Sequence, residues 1–125
     1  MTSPIATQGT YPYQNEPIWS RSEKTIARTV FDAALKRELH EVMQKTRRMA
    51  NQISDPADLW NLERYLTQRR KDIDRKYDFR TSRLTHVFGR LLCERRVSED
   101  ELRGLREDKL KAIQSCARFL AEDAA

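Results

Sequence analysis

The chain has 125 residues, of which 34% are charged and 38% hydrophobic, and its net charge is +5. An ordinary globular domain is about 45–50% apolar, so this chain suits helices with thin apolar seams better than a thick core. It contains only three glycines, no apolar run near the roughly 20 residues of a membrane span, and no apolar segment typical of a secretory signal. We therefore expect an all-α, cytoplasmic protein without a membrane span that completes its burial as a homodimer.

The first part of the chain predicts a tail followed by a long helix. Residues 1–18 contain three prolines and several small polar residues, a composition typical of a flexible tail. Ser20 and Glu23 then have the spacing of a capping box, which marks a helix start. Apolar residues recur after it with a period close to 3.5, and this period favours a helix over about 21–53 with one seam against another helix.

A second helix is predicted over about 56–95. Asp55 is suited to the N-cap, and Pro56 to the first helical position, where no amide hydrogen is needed. Neither proline nor glycine interrupts the pattern before Gly89. The turn-prone pair Thr81–Ser82 leaves a bend open.

A third, shorter helix is predicted over about 99–121, because Ser98 and Glu101 form another capping-box pattern. The three segments together predict a single all-helical domain over residues 19–121. Its architecture would be a long bent helical hairpin with a shorter C-terminal helix, assembled as a homodimer.

The residues that usually carry catalysis or bind metals are sparse. His40 and His86 are isolated on predicted helices, and the chain has no Ser/His/Asp set, glycine-rich phosphate loop or HExxH motif. Cys93 and Cys116 form no CxxC pair and are expected to be reduced thiols. We expect no enzymatic activity, no cofactor and no metal.

A basic run in the second predicted helix raises the possibility of a nucleic-acid interface. It consists of Arg69, Arg70, Lys71, Arg75, Lys76, Arg80 and Arg83. Asp72, Asp74 and Asp78 are interleaved with these residues, however, and each would repel a phosphate. A solvated face with ion pairs such as Asp72 with Lys76 is the favoured interpretation.

Trp60 lies in the first turns of the second predicted helix, and two interpretations are open. The indole could be buried in an intramolecular seam. Alternatively it could lie in an interface, because Glu63 and Arg64 follow one turn later and Arg70 further on. An aromatic ring flanked by arginine is typical of interface hot spots.

The stretch "DLWNLERYLTQRRKDIDRKYDFR", residues 58–80, carries a specific pattern. With "PIWS" before it and "VFGRLLCERRVSEDEL" after it, the chain from Trp19 to about Phe119 resembles the fluorescence recovery protein family of cyanobacteria, as a divergent member. The resemblance implies an all-helical, bent homodimer without enzymatic chemistry or a cofactor. It also implies a protein partner, the C-terminal domain of photoactivated orange carotenoid protein, whose reversion from the red to the orange form the family accelerates.

The resemblance also assigns residues. Trp60 and Arg70 match family positions needed for activity, and Met43 and Leu59 fall where the family packs two chains together. The expected dimer interface is therefore Met43, Ile53, Leu59 and Trp60, and the expected partner-binding set is Trp60, Glu63, Arg64, Arg70 and His86.

Three members of the partner-binding set depart from the family pattern. Arg64 stands where the family carries an aspartate, Glu63 where histidine is frequent, and His86 where an aromatic residue is found. The alternatives are a helical dimer of the same fold with a different protein partner and, less favoured, a basic dimer that binds nucleic acid.

Overall fold

The computed structural model describes residues 18–124, so the predicted tail over 1–18 lies outside the described residues except for Ile18. Four α-helices follow one another: α1 Arg21–Asn51, α2 Pro56–Lys76, α3 Thr81–Cys93 and α4 Glu107–Ala124, with a short 3-10 helix at Asp100–Leu102 before α4. The described range contains no strand, which confirms the all-α class. None of the helices in this range combines the length and the apolar character that a membrane-spanning helix needs.

The first two helices begin at the capping residues predicted from the sequence. The hydroxyl of Ser20 accepts from the Glu23 amide at 3.1 Å, and the Glu23 carboxylate accepts from the Ser20 amide at 3.0 Å. Asp55 and Asp58 form the same reciprocal box around the start of α2, with Pro56 in the first turn. Both predicted caps are confirmed. They could be predicted from the sequence because each depends only on residues within one turn of each other.

The single helix predicted over 56–95 is wrong, because the chain leaves the helical conformation for four residues between α2 and α3. Tyr77 and Phe79 lie in this break, and both rings contact Phe31, with centroids 5.4 and 5.0 Å away. Residues two apart point to nearly opposite sides of a helix but to the same side of an extended segment. Packing both rings against Phe31 therefore requires the helix to stop.

The helix predicted over 99–121 also needs correction. Ser98 and Glu101 do form a capping box, with their reciprocal bonds at 3.3 and 3.0 Å. It leads only into the short 3-10 helix, because Gly104 then turns the chain with φ +105°. A β-carbon at Gly104 would come within 2.7 Å of the Ile26 side chain, so this turn also packs tightly on α1.

The hydrophobic core lies between the first half of α1, α3, and the segment from Val97 to Ile113. Its buried members are Trp19, Ala27, Val30, Phe31, Ala34, Leu84, Val87, Phe88, Leu91, Val97, Leu102, Leu105 and Ile113. α3 and α4 approach closely at Gly89, where a β-carbon would lie 2.6 Å from that of Cys116. We call residues 18–38 and 73–124 the head, and residues 39–72 the arm.

Candidate protein-interaction surface

The arm is a helical hairpin without a core of its own. It joins the second half of α1 to most of α2 through the turn at 52–55, and none of its residues is buried. Its two helices do contact each other, since the Lys45 ammonium lies 4.8 Å from the centre of the Tyr65 ring. Two helices alone can only half-bury the residues between them, so part of the apolar surface of the arm remains available to pack against another molecule.

Large apolar side chains are left exposed along the arm. They are Leu39, Met43, Ile53, Leu59, Trp60 and Leu66. All four residues of the expected dimer interface are in this set. Trp60 is 59% exposed, so its interpretation as a residue buried in an intramolecular seam is wrong.

The two charged residues one turn after Trp60 are held by their own helix. The Glu63 carboxylate accepts from the Thr67 hydroxyl at 2.8 Å, and the Arg64 guanidinium donates to the Asn61 side chain at 2.9 Å. Spacings of three and four residues place both charges on the same outward face as the indole. Trp60, Glu63 and Arg64 are thus presented together to solvent.

Arg70 is also exposed, two turns beyond Glu63. Within residues 18–124 its side chain makes no hydrogen bond or ion pair. Its spacing of eleven from Leu59 and four from Leu66 puts it on a face with these two exposed leucines. The arm therefore combines exposed apolar area with a guanidinium that has no competing intramolecular acceptor among the described residues.

His86 lies apart from the other predicted partner-binding residues. It belongs to α3 in the head and lines a groove of about 410 Å³ with Arg83 and Arg90, whereas Trp60 does not line that groove. Burial, and then the positive charges of Arg83 and Arg90, lower the pKa of His86. Its Nδ1 is 3.8 Å from the Cys116 sulfur. The predicted set therefore divides between two surfaces.

The base of the arm contains a buried carboxylate that the sequence analysis missed. Glu38 is fully buried, and its carboxylate accepts from Arg69 at 2.5 Å, Lys76 at 2.9 Å and the Tyr77 hydroxyl at 2.8 Å. The Arg96 guanidinium is 3.2 Å away. Burial raises the pKa of Glu38, but the hydrogen bonds from Lys76, Tyr77 and Arg69 outweigh it and the pKa is lowered. One carboxylate thus ties α1, α2 and the segment after α3 together.

This cluster also corrects the expected pair of Asp72 with Lys76. Lys76 bonds Glu38 and Glu94, whereas Asp72 lies 3.6 Å from Arg69. The sequence did contain a signal for Glu38, which occupies an inward position of the apolar pattern, seven residues after Phe31. A charged residue at an inward position requires buried partners, and their identity depends on the tertiary fold.

Within the described part of the chain, no group of three or more His, Cys, Asp or Glu side chains is arranged to hold a metal ion. What the arm presents is an outward face of apolar, aromatic and charged side chains on paired helices. This combination is typical of a helical protein-interaction module, since such surfaces are enriched in exposed aromatics and arginines.

Comparison with known proteins identifies the family of this module. The family model described as photoprotection regulator fluorescence recovery protein matches residues 19–117. The fluorescence recovery protein of Synechocystis sp. PCC 6803 is 39% identical over 104 residues, which cover 83% of this chain and 95% of that protein. The chain belongs to the fluorescence recovery protein family of photoprotection regulators, which confirms the resemblance seen in the sequence.

Solved structures agree with this assignment. The fluorescence recovery protein of Fremyella diplosiphon matches with a TM-score of 0.78 and 40% identity, over 81% of this chain and 99% of that one. The structure of the Synechocystis protein matches with the same TM-score and coverage at 39% identity. The fold of this chain is therefore the family fold.

Proposed function

We propose that the chain is a non-enzymatic, cytoplasmic regulator that acts as a homodimer and binds the C-terminal domain of photoactivated orange carotenoid protein. Binding accelerates the return of that protein from its red to its orange form. Family membership supports this proposal, and the observation that carries it is the exposed Trp60 on an arm without buried residues.

The exposed arm supports a binding role on energetic grounds. A tryptophan buries about 150–250 Å² when it is covered, and more than half of Trp60 is open to solvent. At about 25 cal/mol per Å² of apolar area, covering the exposed part of the Trp60 side chain would contribute about 3 kcal/mol to association. Glu63, Arg64 and Arg70 would then orient the partner, because charged groups around a hot spot select geometry more than they add affinity.

The same surface supports a homodimer. Met43, Ile53 and Leu59 are exposed apolar residues on the arm, and a second copy is the simplest protein that carries a matching apolar surface. In a two-fold dimer each arm would cover the other, and residues at the rim of the contact would remain for the carotenoid protein. Such a dimer accelerates reversion by holding two separated domains near each other, which replaces a diffusive search by a local one.

The proposal is tested by the dark decay of the red form. Orange carotenoid protein is photoconverted and its visible absorbance followed with and without this chain. We expect the chain to accelerate the decay. Trp60→Leu or Arg70→Leu should reduce this acceleration at least about tenfold, which corresponds to about 1.4 kcal/mol of lost binding free energy.

Phe119→Leu is the matched control, because Phe119 is an aromatic residue of the head that is 68% exposed. This variant should accelerate the decay as the wild type does. If the wild-type chain leaves the decay of several carotenoid proteins unchanged, the proposed partner is wrong. If Phe119→Leu loses as much as Trp60→Leu, the arm is not the binding surface.

The charges beside Trp60 favour one alternative, a dimer of the same fold with another protein partner. The resemblance implies an aspartate at the position of Arg64, and a reversed charge at a desolvated contact can cost several kcal/mol. Testing Arg64→Asp in the same assay separates the two functions. An inactive wild type with an active Arg64→Asp variant would show that this chain recognises a partner of different charge.

A further inference from the structure

A groove at the base of the arm, lined mainly by residues of the head and distinct from the exposed apolar face of the arm, has a charge pattern of its own. It lies between the last turns of α2 and the outer side of α3 and has a volume of about 410 Å³. We define the basic groove by Arg75, Arg83, His86, Val87 and Arg90. A bound water occupies about 30 Å³, so the groove has room for several side chains of another molecule.

The carboxylates that line the basic groove are already paired with neighbouring cations. They are Asp72, Asp78 and Glu94. Asp78 accepts from Arg80 at 2.9 and 2.5 Å, and Glu94 accepts from Lys76 at 2.8 Å. Asp72 accepts from the Gln68 amide at 2.9 Å, and Arg69 is 3.6 Å away. The negative charge of these carboxylates is therefore largely neutralised within the protein.

Three arginines of the basic groove lack comparable partners. Within residues 18–124, the side chains of Arg75 and Arg83 make neither an ion pair nor a hydrogen bond. Arg90 has one weak pair, 3.7 Å from Glu94, and remains 46% exposed. Burial lowers the pKa of His86, and Arg83 and Arg90 lower it further, so the positive charge of both arginines is felt at His86 within the groove.

The spacing of these arginines indicates the shape of a complementary ligand. Arg83 and Arg90 are seven residues apart on α3, hence on one face and separated by about 10.5 Å along the helix. In an extended peptide with the polyproline II conformation, which has three residues per turn, two side chains three residues apart lie on one face about 9 Å apart. Arg75 lies across the groove on α2.

We propose that the basic groove is a docking site for an extended acidic segment of a protein partner, with carboxylates about 10 Å apart on Arg83 and Arg90. Nucleic acid fits less well, because it carries a phosphate at every nucleotide and would bring some of them against Asp72 and Asp78. A peptide can place carboxylates on Arg83 and Arg90 and neutral residues beside these aspartates. This inference goes beyond the proposed function, because it depends on the groove alone and not on the carotenoid protein.

The test is a titration of a fluorescein-labelled hexaglutamate peptide, followed by fluorescence anisotropy, with hexaglutamine as the neutral peptide. We expect the wild type to bind hexaglutamate and not hexaglutamine. Arg83→Glu should weaken binding at least about tenfold, because it places a like charge against the peptide. The variant should fold normally, since a glutamate in the first turn of α3 interacts favourably with the helix dipole.

Arg21→Glu is the matched control, with the same change in net charge in the first turn of α1, outside the basic groove. It should change the affinity less than about twofold, because Arg21 is exposed, does not line the groove, and acts on the peptide only through solvent in which 0.1 M salt screens charges. Equal losses in both variants would mean that net charge, and not the groove, attracts the peptide.

Two further results would overturn the proposal. One is unchanged binding of hexaglutamate by Arg83→Glu. The other is displacement of the peptide by inorganic phosphate far more effectively than by chloride at equal ionic strength, which would identify a phosphate site in place of a peptide groove.

Discussion

Glu23 shows how one side chain can hold two distant segments together. Its carboxylate accepts from the backbone amides of Ser20 at 3.0 Å and Arg106 at 2.9 Å, and lies 3.1 Å from the Lys109 ammonium. Lys109 is itself buried, with its ammonium 5.5 Å from the centre of the Trp19 ring. The capping residue of α1 therefore also anchors the start of α4 from 83 residues away.

The stability of the protein should fall in acid because of Glu23. Burial raises the pKa of Glu23, but bonds from the Ser20 and Arg106 amides and from Lys109 outweigh it and lower the pKa to about 2, from 4.5. A carboxyl with a lowered pKa stabilises the fold above its unfolded pKa, and this contribution disappears as the pH falls towards the folded pKa. We expect a loss of about 3 kcal/mol in total between pH 5 and pH 2.

Glu23→Gln isolates this contribution, since the other carboxyls titrate alike in both proteins. Urea unfolding at fixed protein concentration should show a stability difference between wild type and variant that shrinks as the pH falls from 5 to 2. A difference that stays constant over this range would contradict the assignment.

Arg95 has the left-handed backbone conformation that usually belongs to glycine, with φ 62°. It follows the C-cap of α3, where the Arg96 amide donates back to the Leu91 carbonyl at 2.9 Å. This is a Schellman arrangement, in which a residue with a β-carbon costs about 1 kcal/mol relative to glycine. We expect Arg95→Gly to raise the free energy of unfolding by up to about 1 kcal/mol, measured by urea denaturation. Gln68→Gly, in the interior of α2, should instead be destabilising by about 1 kcal/mol.

At the scale of the elements, the Glu38 cluster joins the arm to the head. Removing the carboxylate would leave Arg69, Lys76 and Arg96 close together without their buried counter-charge. Breaking a buried pair in this way typically costs about 3–5 kcal/mol, so Glu38→Ala should lower the free energy of unfolding by that amount. Chemical denaturation measures it.

Glu41→Ala is the control for this prediction. Glu41 pairs with Arg96 at 2.5 Å, but its side chain is 61% exposed. An exposed pair contributes about 0–1 kcal/mol, so this variant should remain close to the wild type. Similar losses of unfolding free energy in the two variants would show that the stabilising effect of the Glu38 cluster does not depend on the burial of Glu38.

For the whole molecule, the stability of the fold and the proposed assembly depend on different parts of the chain. The core lies in the head, and the exposed apolar residues lie mainly on the arm. We expect Met43→Glu to convert the proposed dimer into monomers, because a carboxylate on an apolar contact would be desolvated without a counter-charge. Size-exclusion chromatography with light scattering measures the mass.

Phe119→Glu makes the same change at an exposed apolar residue of the head and should leave the dimer mass unchanged. A Met43→Glu variant with the mass of a dimer would show that the arm does not form the contact. A wild-type chain that is already monomeric would contradict the homodimer itself.

The all-α class and the capping residues Ser20 and Asp55 could be predicted from the sequence, whereas the sequence left open whether the Trp60 indole is buried or exposed at an interface. A helix start depends on hydrogen bonds within one turn, and a thin apolar seam reveals how little of a helix one chain can bury. The pattern of residues 58–80 was specific enough to indicate the family, which the comparisons confirm.

The break after α2, the partners of Glu38 and the separation of His86 from Trp60 could not be predicted in the same way. Helix α2 ends because the Tyr77 and Phe79 rings pack on Phe31, which is 46 residues before Tyr77 in the chain. The local helix propensity of residues 77–80 does not indicate that contact. Lys76 likewise prefers the buried Glu38 to the nearby Asp72, since a buried carboxylate without partners costs far more than a solvated one. Contacts between distant residues outweigh local preferences wherever burial is at stake, and only the folded chain shows which distant residues meet.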